Sequence, residues 1–587
     1  MDKRIRLRIL GLAAAGALSA ALAAPASATL LWSNTATHGI GLADLAITAQ
    51  ALGPLPANTP LHVVVGLRLR NAAQLANTIS AVNTPGSASY GDFLTPAEFT
   101  SAHGPTAAQV QAVESYLASK GFTHVTAPAN GMYVSGDGTA AAAQAAFNTP
   151  IWQYQVSGPN GAPSRTVYAN TQTAQVPFNL GSVVLSVVGL QNVDTLHTRL
   201  GSWPAAAAAP AAPLSLPQIP VTLSPQNLWK IYDAGSVPAA SGTTIAIFAE
   251  GSLAGILPDP ANPSSPNDLR QFEAEYGLPQ VPVEIVQVGP ASDDTSGAVE
   301  WDMDTQESTG LAGDVAKLIV YDAASLSDTD LIPAFNAFVT EDRAQAGSAS
   351  FGGCEVLEFV TGSSPLYAQI FQQAAAQGQT VFASTGDSGS ACAVLGLTNG
   401  VPAGIEGSVE FPASDTYVVG AGGTTLVVDA DFNVTSELAW DAGGGGTALF
   451  SPAPAWQAPF VPANAVIAAL GGGKGVPDVA MDADFLLSPA GFVSGGADTS
   501  NGGTSLSSPL SLGAWARIQN AHGNGLGHAG AVLYSLGTPG LPFSSVRGFR
   551  DVVLGGNGLF VATPGWDFTT GLGSFDISAV SAAIGNP

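Results

Sequence analysis

From Leu223 to the C-terminus, short β-branched runs alternate with longer amphipathic ones. This alternation restricts the fold more than any other property of the 587-residue chain. Residues 244–248, 315–321, 348–351 and 380–384 read as strands, and residues 268–276, 328–343 and 365–376 as helices, the first stopped by Gly277. Strands and helices in turn predict an α/β domain, a parallel sheet with helices on both faces. Ligands and catalytic groups gather at strand ends in such sheets. The strand at 380–384 runs into Thr385-Gly386-Asp387-Ser388-Gly389. Residues 427–475, with GGGG at 443–446 and SPAPAW at 451–456, are expected to be surface loops.

Residues 29–200 have the pattern of a separate α+β unit. A strand is predicted over 62–69, helices over 75–82, 95–99 and 107–120, the last ended by Gly121, and a late strand over 177–188. Residues 201–222 are dominated by Ala and Pro and read as a linker open to proteolysis. Residues 1–28 form a secretory signal: basic Lys3, Arg4, Arg6 and Arg8, an apolar stretch from Ile9 to Ala24, and the small-residue cleavage site Ala26-Ser27-Ala28. The apolar stretch lacks the length and flanking charges of a membrane span, so a soluble, exported product is expected.

Charge narrows the partners. The chain has 17 Lys+Arg against 43 Asp+Glu, and from Leu223 onward 8 basic residues face 36 acidic ones. Nucleic acid and anionic membrane both need a basic footprint and are excluded as partners. Once acid neutralises its carboxylates, such a surface keeps little positive charge to drive the molecule apart. That suits work in acid, although salt-adapted proteins share the feature. Export permits the two cysteines, Cys354 and Cys392, to pair, at about 3–4 kcal/mol in the chain-entropy model. Two free buried thiols are the alternative.

Candidate chemistry centres on Gly502-Gly503-Thr504-Ser505-Leu506-Ser507-Ser508-Pro509, a tight turn feeding a helix. A serine there lies beside a helix N-terminus, where a nucleophile and developing negative charge are both favoured. A base is harder to find. Of seven histidines only His522 and His528 follow the linker, and both lie past the serine helix. His522 would stand about 25 Å along that helix, so a Ser-His-Asp arrangement has little support. The segment Glu300-Trp301-Asp302-Met303-Asp304 offers carboxylates instead. In a helix over 297–310, Glu300 and Asp304 share a face at i, i+4 and Asp302 points away, though Asp304 could instead pair with Glu307 at i+3. Two neighbouring carboxyls favour sharing a proton. Asp387 is the third acid. It is either an Asx turn or cap, or, when protonated, a donor to an oxyanion.

Taken together, EWDMD at 300–304, STGDSG at 384–389 and GGTSLSSP at 502–509 resemble the sedolisins, the serine-carboxyl peptidases of subtilisin-like fold. The resemblance extends to SASFGGCE (348–355), FPAS (411–414), VGAGGT (419–424), VPDVAMDAD (476–484) and GWDFTTGLG (565–573). Upstream, YGDFLTPAEF (90–99) is similar to the family's N-terminal activation domain. The resemblance implies a prodomain over 29–200, maturation within about 200–222 and a peptidase domain over 223–587. It implies Ser505 as nucleophile, Glu300 as general base supported by Asp304, and Asp387 as oxyanion stabiliser. It also places the cysteines where the pseudomonalisin branch of the family has its disulfide.

A calcium loop is implied as well. Its ligands would be the Asp551 and Asp567 carboxylates and the backbone carbonyls of Val552, Thr563 and Gly565, an all-oxygen set that suits Ca²⁺. Here Thr563-Pro564-Gly565 stands where the family commonly has Gly-x-Gly. The expected protein is a secreted, acid-acting, monomeric endopeptidase of protein or peptide substrates, inhibited by its own prodomain. Two other readings are a silent binding protein on the same fold and an ordinary subtilisin-like enzyme. The side-chain preference of the substrate pockets is not given by the sequence.

Overall fold

The computed structural model describes residues 31–41, 49–156, 164–193, 195–198, 220–262, 264–398, 401–461, 473–537 and 548–585. The expected signal and most of the linker lie outside them. The downstream domain is built on an eight-stranded sheet. Val283–Val288, Val315–Ala323, Ala240–Glu250, Ala346–Ala349, Thr380–Ser384 and Val418–Val428 run parallel in that order. The last also pairs with Val479–Asp482 in parallel and with Val434–Ala439 in antiparallel fashion. The middle of the central strand is apolar, and Ile245 through Ala249 are fully buried, as a sheet covered on both faces requires.

Two adjacent residues show the two faces. The Ser348 hydroxyl meets the Ser508 hydroxyl of the helix Thr504–Ala521 at 2.7 Å. Its neighbour Gly347 faces Phe248, whose ring lies 4.0 Å from that of Phe335 in the helix Asp328–Glu341. Alternation along a strand makes these opposite sides of the sheet. The helices Ala298–Ala312 and Thr504–Ala521 pack against each other, and both are buried along most of their length.

Three expectations are corrected. The strand predicted over 177–188 divides into Gln175–Pro177, a 3₁₀ turn at Phe178–Leu180 and the strand Val184–Val188. Pro177 has no N–H to extend a ladder. The strand at 348–351 is broken at Ser350, separating Ala346–Ala349 from Phe351–Cys354. Residues 427–475 are not simply surface loops. They contribute the strands Val434–Ala439, Gly446–Pro452 and Gly473–Val476, and Gly443 through Gly446 are buried. A Cβ on Gly444 would lie 1.9 Å from the Thr385 carbonyl oxygen, and one on Gly445 1.9 Å from that of Phe568. Glycine is used here because two backbones touch. The Gly444 N–H donates to the Gly386 carbonyl at 2.7 Å, steadying the loop that carries Asp387.

The N-terminal unit holds a four-stranded antiparallel sheet in the order Thr123–Thr126, Tyr133–Thr139, Pro60–Leu67, Val184–Val188. Its helices include Ala72–Asn83, Pro96–His103 and Ala107–Ser119. It sits on the helices Asp328–Glu341 and Ser364–Ala376 through neutral amides. Asn130 donates to Asn336 (2.7 Å) and Gln373 (3.0 Å), while Gln369 exchanges bonds of 2.8 Å with the Leu69 N–H and the Leu67 carbonyl. Asn83 donates to the Ala375 carbonyl at 2.7 Å.

The buried glycine run generates a prediction. Gly444→Ala forces apart backbones already in contact and should destabilise the domain by about 1–3 kcal/mol. Thermal unfolding beside the wild type measures it, and an unchanged Tm would mean that this approach is not tight.

Candidate active site

The helix Ala298–Ala312 begins at Gly297 and buries Glu300, Asp302, Asp304 and Glu307 almost completely. Its acids face different neighbours. Asp304 Oδ1 accepts a hydrogen bond of 2.7 Å from the Ser350 hydroxyl, at the break between two strands. Asp302 instead accepts from Gln306 (3.4 Å) and lies near Ser494 and Asp268. Glu307 lies close enough to Tyr276 to hold up the ionisation of that phenol. Asp304 therefore faces Ser350 while Glu307 turns to the helix Asp268–Tyr276, and Glu300 stands one turn before Asp304 on the same helix face.

Ser505 is the second residue of the helix Thr504–Ala521, after Gly503, and is fully buried. Its hydroxyl donates to the Ser350 carbonyl at 3.2 Å, and the Ser350 hydroxyl lies 3.2 Å from the Ser505 carbonyl. Ser350 thus touches both the acid pair and the serine. No role for it was visible in the sequence, where it is one hydroxyl in an apolar run. Thr504 stands in the expected turn beside Ser505, but its bond to Asp387 spans segments far apart in the chain and gave no local signal. Its N–H and its hydroxyl both donate to Asp387 Oδ1 at 2.8 Å, and its hydroxyl accepts from the Gly386 N–H at 3.0 Å. Both of these bonds to the half-buried Asp387 carboxyl use Oδ1.

Burial governs the electrostatics. It drives the Asp304 carboxyl well above the usual range, opposed only in part by the Ser350 bond. It raises Glu307 likewise and pushes Asp302 up to about 8. The histidines stay apart: His522 Nε2 bonds Ser581 at 3.1 Å, and His528 Nε2 bonds the Tyr417 carbonyl at 2.9 Å, its ring lowered to about 4 by burial.

The N-terminal unit reaches this region. Its tail, His197–Thr198, pairs in antiparallel fashion with Phe351–Cys354, His197 opposite Gly352 and Thr198 opposite Phe351. This edge of the strand is therefore occupied by the protein's own chain. On the far side of that strand a disulfide joins Cys354 to Cys392, and none of the described cysteines is free.

The expected calcium residues lie together at the C-terminal turn. Asp567 Oδ1 accepts from the Thr569 N–H (2.8 Å) and hydroxyl (2.6 Å), and its Oδ2 from the Thr563 N–H at 2.8 Å. Asp551 Oδ2 accepts from the Gly565 N–H at 2.8 Å. Burial and the nearby Asp567 push Asp551 up to about 6. The Val552 side chain is buried with Ala439 and Ala562, which leaves its backbone to serve as a ligand. Two close carboxylates, Asp567 buried and Asp551 half-buried, together with a turn of carbonyls form an oxygen donor set that fits Ca²⁺. Among the described residues no cluster of three or more His, Cys, Asp or Glu gathers, so backbone oxygens would complete the shell.

Residues 48–193 match the Pro-kumamolisin activation domain. Sedolisin of Pseudomonas sp. (strain 101) is 37% identical over 589 residues, covering 96% of this chain and 93% of that protein. Xanthomonalisin of Xanthomonas sp. (strain T-22) is 33% identical, covering 91% of this chain and 67% of that protein. The solved structure of Pseudomonas sedolisin, a serine-carboxyl proteinase complexed with pseudo-iodotyrostatin, aligns with a TM-score of 0.54 and 33% identity, over 62% of this chain and 98% of that one. With a buried acidic helix, a serine in the first turn of a second helix and an N-terminal unit whose tail pairs with the strand next to them, the chain belongs to the sedolisin family and is a serine-carboxyl peptidase made with an activation domain.

Proposed function

We propose that this peptidase is exported and works in acid, with Ser505 as nucleophile, Glu300 as general base, Asp304 as its proton-sharing support and Asp387 as oxyanion donor. One observation carries the reading: Ser350 joins the Asp304 side of the acid pair to the backbone of Ser505, while both downstream histidines are engaged elsewhere. In the first step Glu300 takes the Ser505 proton as Oγ attacks the peptide carbonyl carbon. The oxyanion is met by the Ser505 N–H and by the proton on Asp387 Oδ2, aided by the helix N-terminus. Glu300 then passes its proton to the leaving amine. Water repeats the sequence on the acyl-enzyme, with Glu300 again as base.

Acid dependence follows from two requirements. Asp387 must be neutral to donate, and the Glu300–Asp304 pair must retain one shared proton. The docked tail supports inhibition of the precursor by its activation domain until the linker is cut. Export rests on the signal at residues 1–28, and calcium binding on Asp551, Asp567 and the carbonyls of Val552, Thr563 and Gly565. The bound ion would fix the C-terminal turn that runs beside Ser390 and Gly443, where Asn557 bonds both.

Ser505→Ala and Glu300→Ala should each lower kcat/KM by about 10⁴-fold or more at every pH. Asp387→Asn keeps a donor in place at all pH values, so its activity should fall but persist further towards neutrality than the wild type's. pH–rate profiles on a denatured protein, after acid processing, test all three; survival of activity in Glu300→Ala would point to another base.

Stability should also depend on pH. Asp302 and Glu355 are both pushed up to about 8, chiefly by burial. Their neutral forms fit the fold, so the stability they contribute is complete below the ordinary carboxyl range near 4 and is lost as pH rises through about 8. Denaturant melts across this interval should show falling stability, and a rise towards pH 8 would contradict the burial of these groups. Chelation should lower Tm, with calcium restoring it in the wild type but not in Asp551→Asn. At calcium concentrations of 100–1,000 Kd the linked stabilisation is about 3–4 kcal/mol.

A further inference from the structure

We propose that His528 is an acid sensor whose protonation loosens the grip of the activation domain on the peptidase domain; this rests on the reading of that domain as the restraint on the precursor. Three consecutive residues, Leu526, Gly527 and His528, form the step on which the activation domain closes. The Tyr90 hydroxyl donates to the Leu526 carbonyl at 3.0 Å, and the His528 N–H donates to Asn83 Oδ1 at 2.9 Å. Between these bonds Phe93 packs on glycine. A Cβ on Gly527 would stand 2.4 Å from Phe93 Cζ and 2.8 Å from Asn83 Oδ1, and one on Gly378 would stand 2.9 Å from Phe93 Cδ1. With contacts this close, a shift of residue 528 is felt directly by Asn83 and Phe93.

The His528 ring is buried beside Trp456, the ring centres 5.3 Å apart. Its Nε2 lies 2.9 Å from the Tyr417 carbonyl oxygen. A carbonyl only accepts, so in the neutral ring Nε2 carries the hydrogen and Nδ1 is bare. Nδ1 has no hydrogen-bond partner among the described residues. That edge of the ring faces Gly530, where a Cβ would lie 3.1 Å from Cε1 and 3.3 Å from Nδ1. A proton added to Nδ1 makes a buried donor without an acceptor, which is costly. The helix Ala529–Ser535 begins there, and the N–H groups of its first turn disfavour a cation as well.

The charges around the ring do not rescue it. Lys474 opposes a second cation and Asp478 favours one, but Asp478 is already paired with Lys474 at 3.1 Å. Asp478 Oδ1 also accepts from the Tyr534 hydroxyl at 3.0 Å, and Asp415 accepts from the Tyr417 N–H at 2.9 Å. The strand Thr380–Ser384, whose Thr380 hydroxyl accepts from the Ala529 N–H at 2.8 Å, carries no charged side chain, and neither does the helix Ala72–Asn83. Burial therefore dominates and lowers the ring's ionisation from 6.5 to about 4.

Once the step is released the ring turns to water, and its ionisation returns towards the ordinary value. The docked state then binds fewer protons in acid than the undocked one. Docking is accordingly at full strength above about pH 6.5 and weakens as pH falls towards about 4. The docking equilibrium should shift by about 30-fold at pH 5 and by about 100-fold or more at pH 4. The amides elsewhere in the interface keep their strength, so the weakening begins at residues 526–528.

The test uses the full precursor carrying Ser505→Ala and follows backbone hydrogen exchange, corrected for its intrinsic pH dependence. Between about pH 6 and pH 4, protection at residues 526–529 and in the helix Ala72–Asn83 should fall by about 10-fold or more relative to the strand Ala240–Glu250. His528→Gln, whose amide still donates to the Tyr417 carbonyl but takes up no proton, should confine that fall to about threefold. Asn83→Ala should lower protection at every pH and leave its pH dependence in place. NMR titration of the His528 ring in the same precursor needs no further variant, and its midpoint should coincide with the loss of protection. Protection that is indifferent to pH, a His528→Gln precursor that opens in acid like its parent, or a ring that titrates with no change in protection overturns the proposal. Opening without cleavage in the unsubstituted precursor would support the sensor and count against acid processing, so the two readings fail separately.

Discussion

The Ser350 hydroxyl, 2.7 Å from Asp304 and 3.2 Å from the Ser505 carbonyl, ties together the elements on which the rest of the site depends. One is the buried helix bearing Glu300 and Asp304, another the helix opened by Ser505, and the third the strand on which the activation domain lays its tail. The strand breaks at Ser350 because its side chain and its carbonyl are both engaged with Ser505 or the acid pair rather than with a neighbouring strand. If that residue moves, the acid pair loses its register with the nucleophile.

Burial of carboxyl groups is the constraint that runs through the whole domain. Asp302, Asp304, Glu307, Glu355 and Asp482 all have their ionisation raised chiefly by loss of water. A buried charge needs a partner or a proton, and this chain has few cations to offer. Protonation therefore serves the fold, because it keeps these interior groups neutral. The interface with the activation domain follows another rule. Asn83, Asn130, Gln369 and Gln373 hold it with amides, which do not titrate.

Much of this was legible in the chain. Periodicity placed the central strands and helices within a few residues, with Asp268–Tyr276 and Thr380–Ser384 reproduced in full. The i, i+4 spacing of Glu300 and Asp304 announced a shared face. Composition misled at Gly443 through Gly446, where glycine signals a loop in sequence statistics but here allows a buried contact of backbones. Ser350 gave no signal, because a hydroxyl among apolar residues is as common in cores as in sites, and the bond of Thr504 to Asp387 joins segments more than a hundred residues apart.

The sequence by itself determined the fold class, the set of acids and the serine, and the absence of any histidine between the linker and Ser505. Periodicity and side-chain chemistry are local properties that a single chain carries. Tertiary structure decided that Asp304 on the acidic helix meets Ser350 and that Thr504 holds Asp387 through Oδ1. Those facts depend on contacts between segments far apart in the chain, such as Ser350 with Ser505, or Gly386 with Thr504, and only packing brings them together.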